Sequence, residues 1–306
     1  MQPSARFQYL RDQLLVPALA ALLPWRLGFK YLRHLSRDLR RLDGIGELAR
    51  RAATTHLGPA ANLNFAQRSL LVRWVDGCDA FLLRLRSDRY LQRWLDVDGQ
   101  WPQPPFLAVN LHYGAGMWGL RHLKRHAQRG HFLSIRFAGA AAPRGWLRGL
   151  LKFRQNSVER ALGAPVIFTG GARKQILAAL RAGTSVVALL DSPELPERGT
   201  CQVDLFGAPM HLHTGVILLA LEAGVPIVPF LVQLGDDGRR QLGIGPAIHA
   251  TTAAAVVAEL SPWFRHRVHA DPASWHLWPQ QAEFAKLGAI APTPEIGIET
   301  DCAIKR

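Results

Sequence analysis

Cysteine is scarce in this chain: Cys78, Cys201 and Cys302 are the three among 306 residues. An odd number at such separations makes neither a disulfide framework nor a paired metal knuckle, and it fits a reducing, cytoplasmic setting. No cleavable signal peptide is expected. Acidic residues are short as well, with 23 Asp and Glu against 37 Lys and Arg, a formal charge of +14. Such a surplus points to a polyanionic partner, either nucleic acid or an anionic lipid surface. Most of the cations are arginine, whose forked donors suit phosphate. Long apolar runs are missing: Leu14 to Trp25 (LLVPALAALLPW) is broken by Pro17 and Pro24. It falls below the roughly 20 residues that a spanning helix needs. There is no P-loop, no GxGxxG, no GxSxG elbow and no internal repeat.

After the apolar run comes a basic stretch with leucines at 32, 35, 39 and 42 and arginines between them. That spacing predicts an amphipathic helix lying in a membrane interface, over about residues 14–42; packing on the protein's own core is the alternative. Residues 1–100 read as a helical region, with Trp74, Phe81, Leu82, Trp94 and Leu95 as core anchors. Trp101 to Pro105 punctuates the chain. Over 101–286, apolar runs alternate with helical patterns. Strands are expected at Phe106–Leu111, Phe132–Phe137, Pro165–Phe168, Ser185–Leu190 and Ile227–Val232. Helices are expected near 117–128, 145–161, 172–182 and 214–223. This alternation predicts an α/β fold with a mainly parallel, helix-flanked sheet. The tail 287–306 is expected to be flexible. Because the basic residues follow leucine-rich helical spacing and no nucleic-acid module is present, lipid is preferred over nucleic acid.

Sites in such sheets gather beyond the carboxyl ends of strands. Two residues stand there, His112 after Val109-Asn110-Leu111, and Asp191 after Leu190. A histidine can act as general base near neutral pH, or simply cap the strand end. Gly114 and Gly116 follow His112; they allow close approach of a substrate, and N–H groups at a helix start favour an anion. His122 and His126, four apart, and His211 and His213 lack any defined third ligand, so no metal site is expected.

The order of the segments is more specific than any one of them. It runs from the strand ending in His112, through Asp191 and the Phe206-Gly207-Ala208-Pro209 turn, to the helix start Thr214-Gly215 and the strand Val225 to Pro229. Trp275-His276-Leu277-Trp278 follows near the end. This order resembles the lipid A biosynthesis (lauroyl/myristoyl) acyltransferases, within the lysophospholipid acyltransferase superfamily. The resemblance implies transfer of an acyl chain from acyl carrier protein or coenzyme A to a hydroxyl of a lipid acceptor. It implies work at the cytoplasmic face of the bacterial inner membrane, with no cofactor. His112 would be the general base, and Thr214 and Gly215 would stand at the substrate. Arg154 matches a family arginine upstream of the Leu162 to Ile167 stretch, and Arg136 is a weaker match; either could hold a phosphate, or be a surface arginine.

One position departs from the family. Its pattern is His-x4-acid, and here position 117 is Met117, with no carboxylate between Asp98 and Glu159. Removing an orienting carboxylate from the histidine of a serine protease triad costs about 10⁴ in rate. Three readings follow: Asp191 partners His112 from another strand; His112 works unaided; or the chain binds a lipid or a carrier protein without catalysis. Met117, flexible and apolar, would suit the wall of an acyl or acceptor pocket.

Overall fold

The computed structural model describes residues 10–38, 44–127, 129–135, 145–192, 199–207 and 209–281. Arg136, Leu39, Leu42, the residues 193–198 and the tail 287–306 lie outside the described residues.

The chain opens with helices. A π turn at Arg11–Leu15 leads into α1 (Val16–Leu22), followed by α2 (Trp25–Ser36), α3 (Ile45–Leu57), α4 (Leu63–Leu85) and α5 (Asp88–Gln92). Then come β1 (Leu95–Asp98), β2 (Leu107–Asn110), α6 (Met117–Ala127), β3 (Gly130–Ser134) and α7 (Trp146–Leu162). After β4 (Ile167–Phe168), α8 (Arg173–Arg181) and β5 (Ser185–Leu189), the hairpin β6 (Thr200–Asp204) and β7 (Pro209–His213) intervenes. The rest is α9 (Gly215–Ala223), β8 (Ile227–Leu234), β9 (Arg240–Ile244) and α10 (Ala253–Ala270).

Seven strands form one sheet in the order β1-β9-β8-β2-β5-β3-β4. Every neighbouring pair is parallel except β8 with β9. The fold is therefore the expected α/β sheet, mainly parallel and flanked by helices. Side chains of a strand alternate between faces, which divides the core in two. Phe106 and Ala108 pack with Trp25, Trp74 and Leu123 on the face that carries α1, α2, α4 and α6. Leu107 and Val109 pack with Ile176, Ile217 and Phe264 on the face that carries α8, α9 and α10. Helices α1, α2 and α4 thus belong to one of the sheet's two covering layers, while Ala49 and Ala53 of α3 pack in the other.

At its two described positions the leucine stripe takes the alternative of packing on the protein's own core. Leu32 is fully buried in the core and Leu35 packs against it. Burying a leucine contributes roughly 1.5–3 kcal/mol, so the sheet, rather than solvent or lipid, takes this face. Helices α1 and α2 meet so closely that a Cβ on Gly28 would lie 2.3 Å from the carbonyl oxygen of Ala20. Pro24 separates them in extended backbone. The exposed leucines are others: Leu19 (54%), Leu22 (63%) and Leu27 (55%), with Leu15 and Leu23 beside them. Among the described residues no helix is long and apolar enough to cross a membrane.

Candidate active site

The parallel register of β2 and β5 builds the centre of the site. Asn110 stands opposite Leu189, and the amide of Leu190 donates to the Asn110 carbonyl at 3.0 Å. Two residues further along each strand are His112 and Asp191, which the register sets side by side. The His112 ring contacts Asp191 through Nδ1 and Oδ1 at 2.9 Å, and the His112 backbone N–H donates to both carboxylate oxygens at 2.9 Å. Asp191 is completely buried, whereas 34% of the His112 side chain remains accessible. Burial opposes ionisation of Asp191. The adjacent His112 and the donors from His112 and Trp275 outweigh it and hold the carboxyl below its ordinary range.

A segment far along the chain completes the surroundings. Trp275 Nε1–H donates to Asp191 Oδ2 at 2.8 Å. The amide of His276 donates to the carbonyl of His112 at 2.7 Å, and His276 Nε2–H donates to the carbonyl of Gly114, also at 2.7 Å. Residues 274–276 thus run beside residues 112–114, with Tyr113 and Trp275 bridged antiparallel. His276 is half-buried; loss of solvent around its ring and the nearby Arg73 push it down to about 4, so it is neutral at pH 7. Arg73 in turn donates to the His276 carbonyl.

The glycines serve different needs. Gly114 has φ +66°, and a Cβ there would meet the Val232 carbonyl oxygen, so β8 requires glycine at this position. Its amide donates to the Ser274 carbonyl at 2.9 Å, and that of Ala115 to Val232 at 3.0 Å. The expectation that the amide of Gly114 serves an anion therefore gives way to an internal bond. At Gly116 a Cβ would rest 3.8 Å from Asn110 Nδ2, an ordinary contact, so internal packing does not demand glycine there.

Met117 opens α6 with its side chain buried in the core shared with Trp25 and Trp118. Arg154 pairs with Asp76 at 2.6 Å, joining α7 to α4, and 37% of its side chain stays accessible. Burial again opposes ionisation of Asp76, yet Arg154, His276 and Arg73 together hold it below its usual range. Arg154 is in this way linked to the backbone around His112 through Asp76 and His276. Thr214 is buried, and its hydroxyl donates to the Gly199 carbonyl at 2.8 Å; Gly215, the first residue of α9, is exposed. The other histidines have local duties: His122 Nδ1 accepts from Trp101 at 3.0 Å, and His213 Nε2–H donates to the Ser192 carbonyl at 2.6 Å. Among the described residues no three His, Cys, Asp or Glu side chains are grouped to hold a metal.

The model of a family described as bacterial lipid A biosynthesis acyltransferase matches residues 146–281. The match covers somewhat less than half of the chain, and over that segment the chain is similar to the family. The matched segment contains Arg154, Asp191, Thr214 and Trp275, and it starts after His112 and Met117. No curated protein matches the chain. Similarity to the lipid A acyltransferase family supports an acyltransferase activity, and with it an acyl donor and a lipid acceptor. In the sequence, Trp275 and His276 stand out only as part of a segment that fits the family resemblance. Their contacts with residues 112–114 and 191 leave no trace in local spacing.

Proposed function

We propose that the chain is an O-acyltransferase with His112 as general base and Asp191 as its orienting acid. The donor would be acyl carrier protein or coenzyme A, and the acceptor a hydroxyl of a lipid at the cytoplasmic face of the bacterial inner membrane. One observation carries the reading: the 2.9 Å contact of His112 Nδ1 with a sealed carboxylate at the carboxyl edge of the sheet. With Nδ1–H donated to Asp191, the basic position of the ring is Nε2. Nε2 takes the proton of the acceptor hydroxyl while its oxygen attacks the thioester carbonyl. The tetrahedral intermediate collapses, the C–S bond breaks, and the imidazolium returns the proton to the leaving thiolate. Asp191 stabilises the imidazolium in between. The scheme uses no metal and no redox group.

In this reading Asp191 takes over the duty that the family assigns to position 117, and Met117 contributes apolar volume at the start of α6. Arg154 keeps one accessible face beside its pair with Asp76, enough for a phosphate of acceptor or donor. The exposed leucines of α1 and α2, with Arg26 and Lys30 in the same segment, are the face we assign to the membrane surface. Anionic vesicles should retain the protein, and salt should weaken that retention.

The experiment is His112→Ala with thiol release from acyl donors as the readout. A general base contributes roughly 10²–10⁴ in rate, so the folded variant should lose nearly all transfer. A folded His112→Ala that transfers acyl chains normally would overturn the mechanism. Met117 at the family's acid position favours one rival, a lipid- or carrier-binding protein without catalysis; it takes over if the wild type binds donor and releases no thiol.

A further inference from the structure

We propose that Trp275 is a positioning residue for the His112–Asp191 pair, acting through the carboxylate of Asp191; the catalytic meaning of this rests on the acyltransferase reading above. A carboxylate sealed from water keeps its charge and its orientation only if donors surround both oxygens. On Oδ1 the His112 ring and backbone amide meet; on Oδ2 the same backbone amide is shared, and the Trp275 indole N–H, at 2.8 Å, is the only other donor bonded to it among the described residues. Trp275 is therefore the one side-chain donor bonded to Oδ2 among the described residues.

The indole itself cannot turn away. Its ring lies 4.9 Å from that of Phe206 and 5.1 Å from that of Trp278, the latter edge to face, and the residue is 1% exposed. Its backbone is fixed by the bonds of its neighbours: the Ser274 carbonyl accepts from Gly114, and the His276 amide donates to His112. One three-residue segment thus holds the acid by a side chain and the base by its peptide. Asp191 and His112 are set against each other from outside both of their strands.

The test uses the full chain in three variants. Trp275→Phe keeps a ring between Phe206 and Trp278 and removes the donor. Replacement of Trp275 by benzothienylalanine removes the N–H while keeping the shape, in case phenylalanine loosens the fold. Trp278→Phe is the control: it removes a donor to the Pro272 carbonyl in the same aromatic cluster without touching Asp191. Two readouts are needed, the pH profile of acyl transfer and an NMR titration of the His112 ring, which requires no activity.

Both Trp275 variants should lower kcat about 10- to 100-fold with little change in KM, the usual scale for a partner behind a functional group. Without the donor, the His112–Asp191 pair holds its proton more tightly. The acid limb of the profile and the NMR midpoint should both move up by about one pH unit, the scale of one hydrogen bond to a charged group. Trp278→Phe should move neither. An unmoved midpoint in both Trp275 variants, or an equal shift in Trp278→Phe, overturns the proposal. If the wild type transfers no acyl group while the midpoint still moves, Trp275 positions the pair and the acyltransferase reading is what fails.

Discussion

Among the described residues two carboxylates are entirely buried, each held against a basic side chain with tryptophan close by, and they are built for opposite ends. Asp191 faces His112, a base that can accept a proton and keeps a third of its side chain accessible. Asp79, on α4, faces Arg240 of β9, which is sealed with it and lies between the rings of Trp25 and Trp118 at 4.1 and 4.3 Å. Burial pushes Asp79 up to about 7, against the pull of Arg240. Asp191 moves the other way, because its backbone and indole donors come in addition to its basic partner. The tryptophans are also arranged differently: Trp275 donates to Asp191, whereas Trp25 and Trp118 stack on Arg240, and Trp118 adds only the last and smallest downward pull on Asp79. A buried pair of the first kind can move a proton; the second can only fasten α2, α4, α6 and β9 together.

The comparison breaks most visibly if the acids are neutralised in turn. Asp191→Asn should lower acyl transfer about 10²–10⁴-fold, on the scale of other oriented histidines, with the fold retained. Steady-state rates beside a thermal melt decide this, and a harmless Asp191→Asn would return position 117 to the centre of the argument. Asp79→Asn should leave the chemistry alone and destabilise the fold by about 3–5 kcal/mol, since Arg240 cannot shed its charge. Arg240→Met should cost less, because Asp79 can take up a proton in compensation; urea unfolding of the two variants tests that asymmetry.

Acid titration sharpens the contrast further. His276 is held neutral, with its folded value near 4 against about 6.5 when unfolded, so its contribution is present above pH 6.5 and fades as pH falls toward 4. Asp79 has the opposite sign, since its raised value makes ionisation costly as pH climbs from about 4 through 7. The two oppose each other in one window. His276→Gln, which keeps a side-chain N–H for Gly114, should therefore be more stable at pH 4.5 relative to pH 6.5 than the wild type, by about 2–3 kcal/mol. Unfolding curves at the two pH values give the number. The smallest effect is expected for Met117→Glu: an acid placed in that core should cost about 1–3 kcal/mol and bring no gain in rate. A strong gain would mean that the helix position is a damaged catalytic site.

The elements that could be read from the sequence are those whose neighbours share their pattern. The parallel strands from β2 to β8 are short apolar runs between helices, and they stand within a few residues of expectation. His112 and Asp191 were legible for the same reason, as the first polar residues beyond two such strands. Strand β1 (Leu-Asp-Val-Asp) is mostly exposed at the sheet edge, and β9 carries a buried arginine; neither shows a strand's alternation. Helix α10 contains Pro262 in its middle, a residue that argues against a helix until tertiary packing overrides it. At Leu32 and Leu35 the leucine stripe turns to the core, the alternative that its period left open, because spacing defines a face without naming what covers it. Trp275 was invisible as a donor: 84 residues separate it from Asp191.

The bond from His276 to Gly114 spans 162 residues, and that distance is also an interval of time. At about 5–20 residues per second, a ribosome needs roughly 8–30 s to pass from one to the other. Throughout that interval the loop after β2 exists without its fastening, and Asp191, once made, waits for its indole. A nascent chain of this protein would therefore acquire its sheet before its chemistry, and an unfinished one would present no working centre to the substrates around it.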